Sequence, residues 1–173
     1  MPAPVTSELD QEYSDPAATP ASWEETTRAL EEAELFWVST VRADGRPHVT
    51  PVVAVWYEGA VWFSTGATEV KFGNMRANPQ VVLTTGCNGW DRGLDVVVEG
   101  AAVAVTDDAV LAPVAKAFET KWDGRWQWTA RGGCFRGRDG HGEAMVFSVT
   151  PAKVWAHAKG DPFGATAHRF RSA

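Results

Sequence analysis

The 173-residue chain has the length of one domain, and its 45% hydrophobic residues, with nine tryptophans, are enough for a sizeable core. A formal net charge of −6 without a long basic stripe argues against a nucleic-acid-binding surface, which needs clustered lysine and arginine. The two cysteines, Cys87 and Cys134, lie far apart and without histidine at metal-ligand spacing, so neither a zinc site nor a disulfide framework is indicated.

The first 20 residues are predicted to form a flexible arm, because their Pro, Ala and Ser content offers little apolar surface to offset the entropy of ordering. They have neither the basic start nor the apolar block of a secretory signal. No apolar run approaches the roughly 20 residues that span a bilayer. We therefore expect a cytoplasmic protein without membrane contact, in which residues 21–173 form a single domain.

Regular structure is predicted to begin at Ser22, which with Glu25 matches the capping box of a first helix. Three alternating apolar runs follow, LFWVSTVR, HVTPVVAVWY and VWFST, and they indicate three strands joined by two hairpins. The first hairpin has Asp44 and Gly45 in its turn, and the second has Glu58 and Gly59.

The second half of the chain continues this mainly β pattern. The segment KFGNMRAN is predicted to be a short helix that ends before Pro79, and QVVLTTG a fourth strand. LDVVVEGAAVAVT is too long for an average strand, so Gly100 indicates a bulge or sharp bend. Asp107 caps a further helix, and EAMVFSVTPAKVWAHA is a strand interrupted near Pro151. Six or seven antiparallel strands with flanking helices predict a small closed β-barrel.

The loop FSTGATEVK, between the third strand and the short helix, has the composition of an anion-binding site. Hydroxyls and flexible backbone N–H groups precede a helix N-terminus, which favours negative charge, and Lys71 adds a full positive charge. The alternative is that Ser64, Thr65 and Thr68 are ordinary helix caps and that Lys71 is solvated. The sequence has no P-loop and no dinucleotide-binding glycine pattern.

The runs HVTPVVAVW, VWFSTGATEVKFGNMRANPQVVL and TPAKVWAHAKGDPFGATAHRF resemble the pyridoxamine 5′-phosphate oxidase-like split β-barrel superfamily over about residues 25–170. The spacing K-x-x-N-x-x-x-N-P, from Lys71 to Pro79, is most similar to the flavin- and deazaflavin (F420)-dependent oxidoreductases. The resemblance implies an FMN-binding type split barrel. It also implies a homodimer with the cofactor in the groove between subunits.

Carried over residue by residue, the resemblance implies two groups of cofactor-binding residues and one further arginine. Ser64, Thr65 and Lys71 would hold the phosphate, and Arg169 would lie near the cofactor. The residues along the ring system would be Thr50, Pro51 and Val52.

True pyridoxamine phosphate oxidases have basic residues around the second strand, where this chain has His48, Thr50 and Pro51, so oxidation of vitamin B6 is not expected. The resemblance implies coenzyme F420 or FMN, with F420 favoured. Because the cofactor supplies the hydride chemistry, no catalytic triad or paired acid is required, and no catalytic residue is assigned. The expected activity is hydride transfer to a small, planar or conjugated organic acceptor.

The sequence leaves three further points open. The same barrel can serve as a non-catalytic flavin- or haem-binding protein, which for haem requires an axial histidine facing an apolar pocket. The segment at 121–143, rich in tryptophan, arginine and glycine, is either a substrate lid for a planar acidic ligand or a solvated loop that packs its tryptophans on a partner. The strand residues Trp56 and Trp62 are either ring contacts or core residues.

Overall fold

The computed structural model describes residues 4–138 and 142–171. In these residues the chain forms ten strands and three helices. In chain order they are β1 (Thr6–Leu9), α1 (Trp23–Glu32), β2 (Leu35–Val41), β3 (Pro47–Tyr57), β4 (Ala60–Thr65), α2 (Val70–Ala77), β5 (Gln80–Thr85), β6 (Leu94–Val105), α3 (Asp108–Lys121), β7 (Trp128–Ala130), β8 (Phe135–Gly137), β9 (Glu143–Ala158) and β10 (Gly164–Arg169).

Six of the strands close into an antiparallel barrel, which confirms the predicted fold class. Around the barrel the order is β9, β4, β3, β2, β5, β6 and back to β9. The remaining strands extend this sheet: β10 and β1 continue from the far half of β9, and the β7–β8 hairpin joins its first residues. None of the helices in the two described ranges is long and apolar enough to cross a membrane.

The ends of the helices follow the capping signals in the sequence. Ser22 accepts a hydrogen bond from the Glu25 amide, and the Glu25 carboxylate accepts one from the Ser22 amide, which completes the predicted capping box of α1. Asp107 accepts from the Ala109 amide at the start of α3. These bonds satisfy amides that have no partner within the helix, and they fix where each helix begins.

The longest strands, β6 and β9, are bent where the sequence predicts irregularity. The pairing of β6 with β9 shifts register between Glu99 and Gly100, opposite Pro151. A Cβ on Gly100 would lie 2.6 Å from the Thr150 carbonyl oxygen and 2.8 Å from the Val149 side chain, so only glycine fits. Beyond this bend β9 exchanges its outer partner, from β4 to β10. The bend therefore lets one strand serve both the barrel and its extension.

Buried apolar side chains form two cores on opposite sides of the barrel wall. The larger core fills the barrel and includes Phe36, Phe63 and Phe147. The second core lies outside the barrel, where α3 and the β7–β8 hairpin cover β3 and β4, and it contains Trp62 and Phe135. Trp62 also donates its indole N–H to the Tyr57 carbonyl over 3.0 Å. Both faces of β4 are therefore buried, and this strand has a continuous run of apolar residues instead of alternation.

The N-terminal segment differs from the predicted flexible arm. Residues 6–9 form β1, which pairs antiparallel with β10, so that Ser7 lies opposite His168. Ser7 and His168 are also joined by a side-chain hydrogen bond of 2.8 Å. Composition gave no indication of this strand, because its order comes from backbone hydrogen bonds to a sheet edge and not from apolar side chains of its own.

Candidate functional site

The barrel wall is split between β3 and β4, and this gap defines the candidate site. Backbone pairing of the two strands runs only from Ala54 opposite Phe63 to Tyr57 opposite Ala60. Residues 47–53 of β3 pair with β2 on one edge, while the end of β4 continues along β9 as far as Thr65 opposite Met145. The gap therefore lies between Thr50, Pro51 and Val52 on one side and Ser64 and Thr65 on the other.

Beyond the gap, α2 crosses the mouth of the barrel and is held by a buried hydrogen bond. The Asn74 side-chain amide donates to the Thr40 hydroxyl over 2.9 Å, and Met75 packs into the larger core. Lys71 lies three residues before Asn74, so both side chains are on the same face of the helix. In the K-x-x-N spacing, Asn74 therefore fixes the helix, and the fixed helix places Lys71 at the mouth.

The anion-binding groups predicted from the loop meet on one carboxylate of the chain itself. The Gly66 amide donates to Oε1 of Glu69 over 2.7 Å, and the Lys71 ammonium forms an ion pair with Oε2. The Lys71 side chain is only 7% exposed, whereas that of Glu69 is 48% exposed. A backbone N–H and a buried ammonium thus converge on a single anionic group at the barrel mouth.

The charge of Glu69 is stabilised by this arrangement. Burial raises the pKa of its carboxyl, but hydrogen bonds from Lys71 and from the Gly66 amide outweigh burial, so the pKa is lowered from its ordinary value. An ammonium this buried needs an anionic partner, because an unpaired buried charge is strongly destabilising. The loop is therefore built to hold negative charge.

The three residues predicted for the phosphate are only partly brought together. Thr65 faces the barrel interior, as Phe63 does, and its hydroxyl donates to the Gly66 carbonyl over 3.4 Å. Ser64, the next residue in the strand, faces the opposite side. Thr65 is thus on the inner face of the barrel wall, next to the loop that contains Gly66 and Lys71, whereas Ser64 points to the other face of the wall. Sequence reasoning did not select Glu69, although a carboxylate three residues after the glycine and just before the helix is a recognisable signal.

Three residues are predicted to lie along the cofactor ring, and they are on the other side of the gap. Pro51 is exposed and lies opposite Trp37, while Thr50 and Val52 face inward. The Thr50 hydroxyl is buried and has no hydrogen-bond partner among the described residues. A buried, unpaired hydroxyl is costly, so an acceptor or donor supplied by a ligand would stabilise this wall.

Arg169 lies at a different place in the subunit. It ends β10 opposite Lys153 of β9, eight residues along β9 from Met145, which pairs with Thr65. Its side chain is exposed. Within one subunit the structure therefore does not bring Arg169 to the anion-binding loop.

The tryptophan- and arginine-rich segment is largely a packed hairpin. Trp128 and Phe135 stack with ring centroids 5.7 Å apart, and Phe135 meets Phe118 of α3 edge to face. Arg136 pairs with Glu143 over 2.6 Å. The two hypotheses for this segment are a substrate lid and a solvated loop that packs its tryptophans on a partner. Trp128 and Phe135 pack within the chain itself, and a role of the segment as a lid stays a prediction. Residues 139–141, with His141, lie outside the described residues.

Comparison with known proteins defines the family to which this barrel belongs. The family model for pyridoxamine 5′-phosphate oxidase matches residues 22–158, which include the barrel strands, the loop and Lys71. The chain belongs to this family. No curated protein matches its sequence.

Solved structures similar to this chain share its fold at low sequence identity. A conserved hypothetical protein from Mycobacterium tuberculosis is 18% identical, with a TM-score of 0.64, over 79% of this chain and 84% of the other. A FAD-binding protein from Mesorhizobium loti is 20% identical, with a TM-score of 0.58, over 86% and 96%. A protein described as an F420 reductase is 21% identical, with a TM-score of 0.56, over 79% and 98%. At these identities the similarity establishes the family fold.

Proposed function

We propose that the protein is an oxidoreductase that binds coenzyme F420 or FMN in the gap between β3 and β4 and transfers hydride to a small conjugated acceptor. The observation that carries this proposal is the convergence of the Gly66 amide and the buried Lys71 ammonium on one anionic group. Both cofactors carry a phosphate, which suits these donors. The neighbouring structures described as FAD-binding and as an F420 reductase support a cofactor of the flavin type.

The proposed roles of the residues follow from their positions. Thr65, Gly66 and Lys71 would hold the phosphate, and the strand residues 50–52 would lie along the ring. Pro51 has no N–H, so its place in an incompletely paired strand leaves no unsatisfied donor against an apolar ring. When bound, such a cofactor supplies the hydride chemistry, and the protein binds it, orients it and excludes water.

We further propose that a second copy of the chain covers the outer face of β2 and β3. Trp37 is 50% exposed and lies opposite exposed Pro51, and Val49 is 52% exposed on the same face. Leu35, at 51% exposure, continues this apolar surface. Contiguous exposed apolar residues of this size are typical of an interface. The exposed Arg169 would then be available to a site shared between subunits.

A haem-binding function receives less support from two of the described histidines, His48 and His168. His168 has both ring nitrogens engaged, by Ser7 and by Thr26. His48 lies beside the Thr40 hydroxyl, with its Nδ1 3.4 Å away. A non-catalytic flavin-binding protein remains the relevant alternative, and turnover distinguishes it from an oxidoreductase.

The test compares FMN with riboflavin, which has the same ring without the phosphate, and adds F420 as the second cofactor. Loss of a hydrogen bond between Lys71 and a phosphate removes about 1.5–3 kcal/mol, so Lys71→Ala should weaken binding of FMN or F420 roughly 10- to 100-fold. Riboflavin affinity should not change. Lys116→Ala, which removes a lysine that is 71% exposed, is the matched control.

Turnover is measured by incubating the protein with reduced F420 or reduced FMN and a panel of quinones and conjugated ketones. An oxidoreductase oxidises the cofactor faster than the uncatalysed mixture does, and Lys71→Ala lowers this rate at subsaturating cofactor. If the protein binds the cofactor but does not speed its oxidation by any acceptor in the panel, the non-catalytic alternative is favoured. Equal affinity of wild type and Lys71→Ala for every phosphate-bearing cofactor would refute the site.

A further inference from the structure

The Glu69 carboxylate lies where the proposed site requires the anion of a ligand. Its Oε1 accepts from the Gly66 amide over 2.7 Å, and its Oε2 pairs with the Lys71 ammonium. These are the two donors that the proposed function assigns to a phosphate. The Gly66 amide has a single hydrogen and the Lys71 ammonium already pairs with Glu69, so a phosphate that uses the amide must compete with the Glu69 carboxylate for it.

The two members of the ion pair differ in how easily they can move. The Lys71 side chain is 7% exposed and lies on the helix face that Asn74 fixes to Thr40. The Glu69 side chain is 48% exposed and sits at the N-cap of α2, where it makes no capping hydrogen bond. Rotation of the Glu69 side chain would transfer its carboxylate into water without disturbing the helix. Lys71 has no comparable escape, because a buried ammonium without a partner is costly.

We propose that Glu69 is a built-in competitor that holds the anion-binding loop closed and that a ligand's phosphate binds by displacing it. This inference rests on the proposed function, since the displacing ligand is the phosphate-bearing cofactor. Glu69 is held close to its partners by the backbone, so its carboxylate competes at a high effective concentration. The apparent affinity for the ligand is reduced by the fraction of molecules in which the loop is closed.

A purely structural role for Glu69 predicts the opposite result. The Glu69 amide donates to the Gly66 carbonyl over 3.1 Å, so the side chain and backbone of Glu69 bond to the same glycine and can be viewed as a brace for the loop. If Glu69 acted only as a brace, its removal would loosen the binding loop and weaken phosphate binding. If it competes, removal strengthens binding. The sign of the change separates the two roles.

The experiment measures FMN, F420, riboflavin and inorganic phosphate affinities of the full-length protein by calorimetry. The variants are Glu69→Gln, which keeps the shape without the charge, and Glu69→Ala, which removes the side chain. We expect both to bind the phosphate-bearing ligands about tenfold more tightly, with riboflavin unchanged. Glu58→Gln, the same charge change at an exposed turn, should have no effect.

The outcomes separate this inference from the proposed function. Unchanged or weaker phosphate binding by both Glu69 variants overturns the competitor role, and so does an equal gain for riboflavin. If Lys71→Ala weakens FMN binding while Glu69→Gln does not strengthen it, only the competitor role fails. If Lys71→Ala changes no affinity, both fail. In a Lys71→Ala background, the gain from Glu69→Gln should shrink, because the ion pair that holds the carboxylate is gone.

Discussion

Nε2 of His168 lies 2.9 Å from Oγ1 of Thr26, and this buried contact ties the last strand to the first helix. The Thr26 hydroxyl also donates to the Ser22 carbonyl over 3.0 Å, so it accepts from His168. Nδ1 of His168 is then left to accept from the Ser7 hydroxyl, at 2.8 Å. With its proton on Nε2, the neutral His168 of β10 therefore hydrogen-bonds to Ser7 of β1 and to Thr26 of α1 at the same time.

This contact predicts a dependence of stability on pH. Burial lowers the pKa of His168 from its ordinary value of 6.5. As the pH falls through 6.5, the unfolded chain gains a proton that the folded chain resists, so stability is present above this pH and is lost below it. Denaturant unfolding from pH 8 to pH 5 should show a smaller loss for His168→Gln than for wild type. If the unfolding free energies of wild type and His168→Gln fall equally between pH 8 and pH 5, His168 is not the group responsible.

Asn74→Ala should destabilise the protein by about 1–3 kcal/mol, because it removes a buried hydrogen bond and leaves the Thr40 hydroxyl without that donor. Cofactor affinity should also fall, since α2 positions Lys71. Thr40→Val should cost a similar amount, and the double variant should be less unstable than the sum of the two, as measured by urea unfolding. Additive losses would show that the two side chains do not act together.

Two glycine substitutions should have opposite effects. Gly100→Ala places a Cβ 2.6 Å from the Thr150 carbonyl oxygen, a backbone atom that cannot move aside without distorting the strand. We expect the free energy of unfolding to fall by at least about 2 kcal/mol. Gly73→Ala, on the exposed side of α2 with nothing within 4 Å, should stabilise by about 0.5–1 kcal/mol. Melting temperatures of the two variants test both predictions, and a tolerated Gly100→Ala would argue against the close approach.

Trp37→Lys should convert the proposed dimer to a monomer, because it places a charge in the centre of the apolar face formed by β2 and β3. Trp90→Lys is the matched control, since Trp90 is 89% exposed in a loop after β5. Sedimentation velocity measures the masses of both variants. A dimer that survives Trp37→Lys would exclude this face as the interface.

Much of the barrel could be predicted from the sequence, because the signals that specify its helix ends and strand bends lie within a few neighbouring residues. The capping box at Ser22, the Asp107 cap and the irregularity at Gly100 each follow from a few neighbouring residues, and the structure confirms all three. The strand β1 could not be predicted, since its order depends on an edge supplied by β10, more than 150 residues away. Local composition does not contain that information.

The candidate site was predictable only in part, for a related reason. Hydroxyls before a helix and a lysine indicated anion binding, and Lys71 does lie at an anion-holding loop. The resemblance assigned Ser64 and Thr65 together, although adjacent strand residues face opposite sides, and it did not select Glu69, whose contacts with Gly66 and Lys71 depend on how the loop folds back. The positions assigned by resemblance, including Arg169, stay predictions.

The pairing of β1 with β10 has a practical consequence for handling the protein. If residues 4–10 were removed, β10 would become an open sheet edge, with its N–H and C=O groups free to recruit a strand from another molecule. Shortened versions that begin at the first helix are therefore expected to self-associate and precipitate, even though the barrel itself is intact.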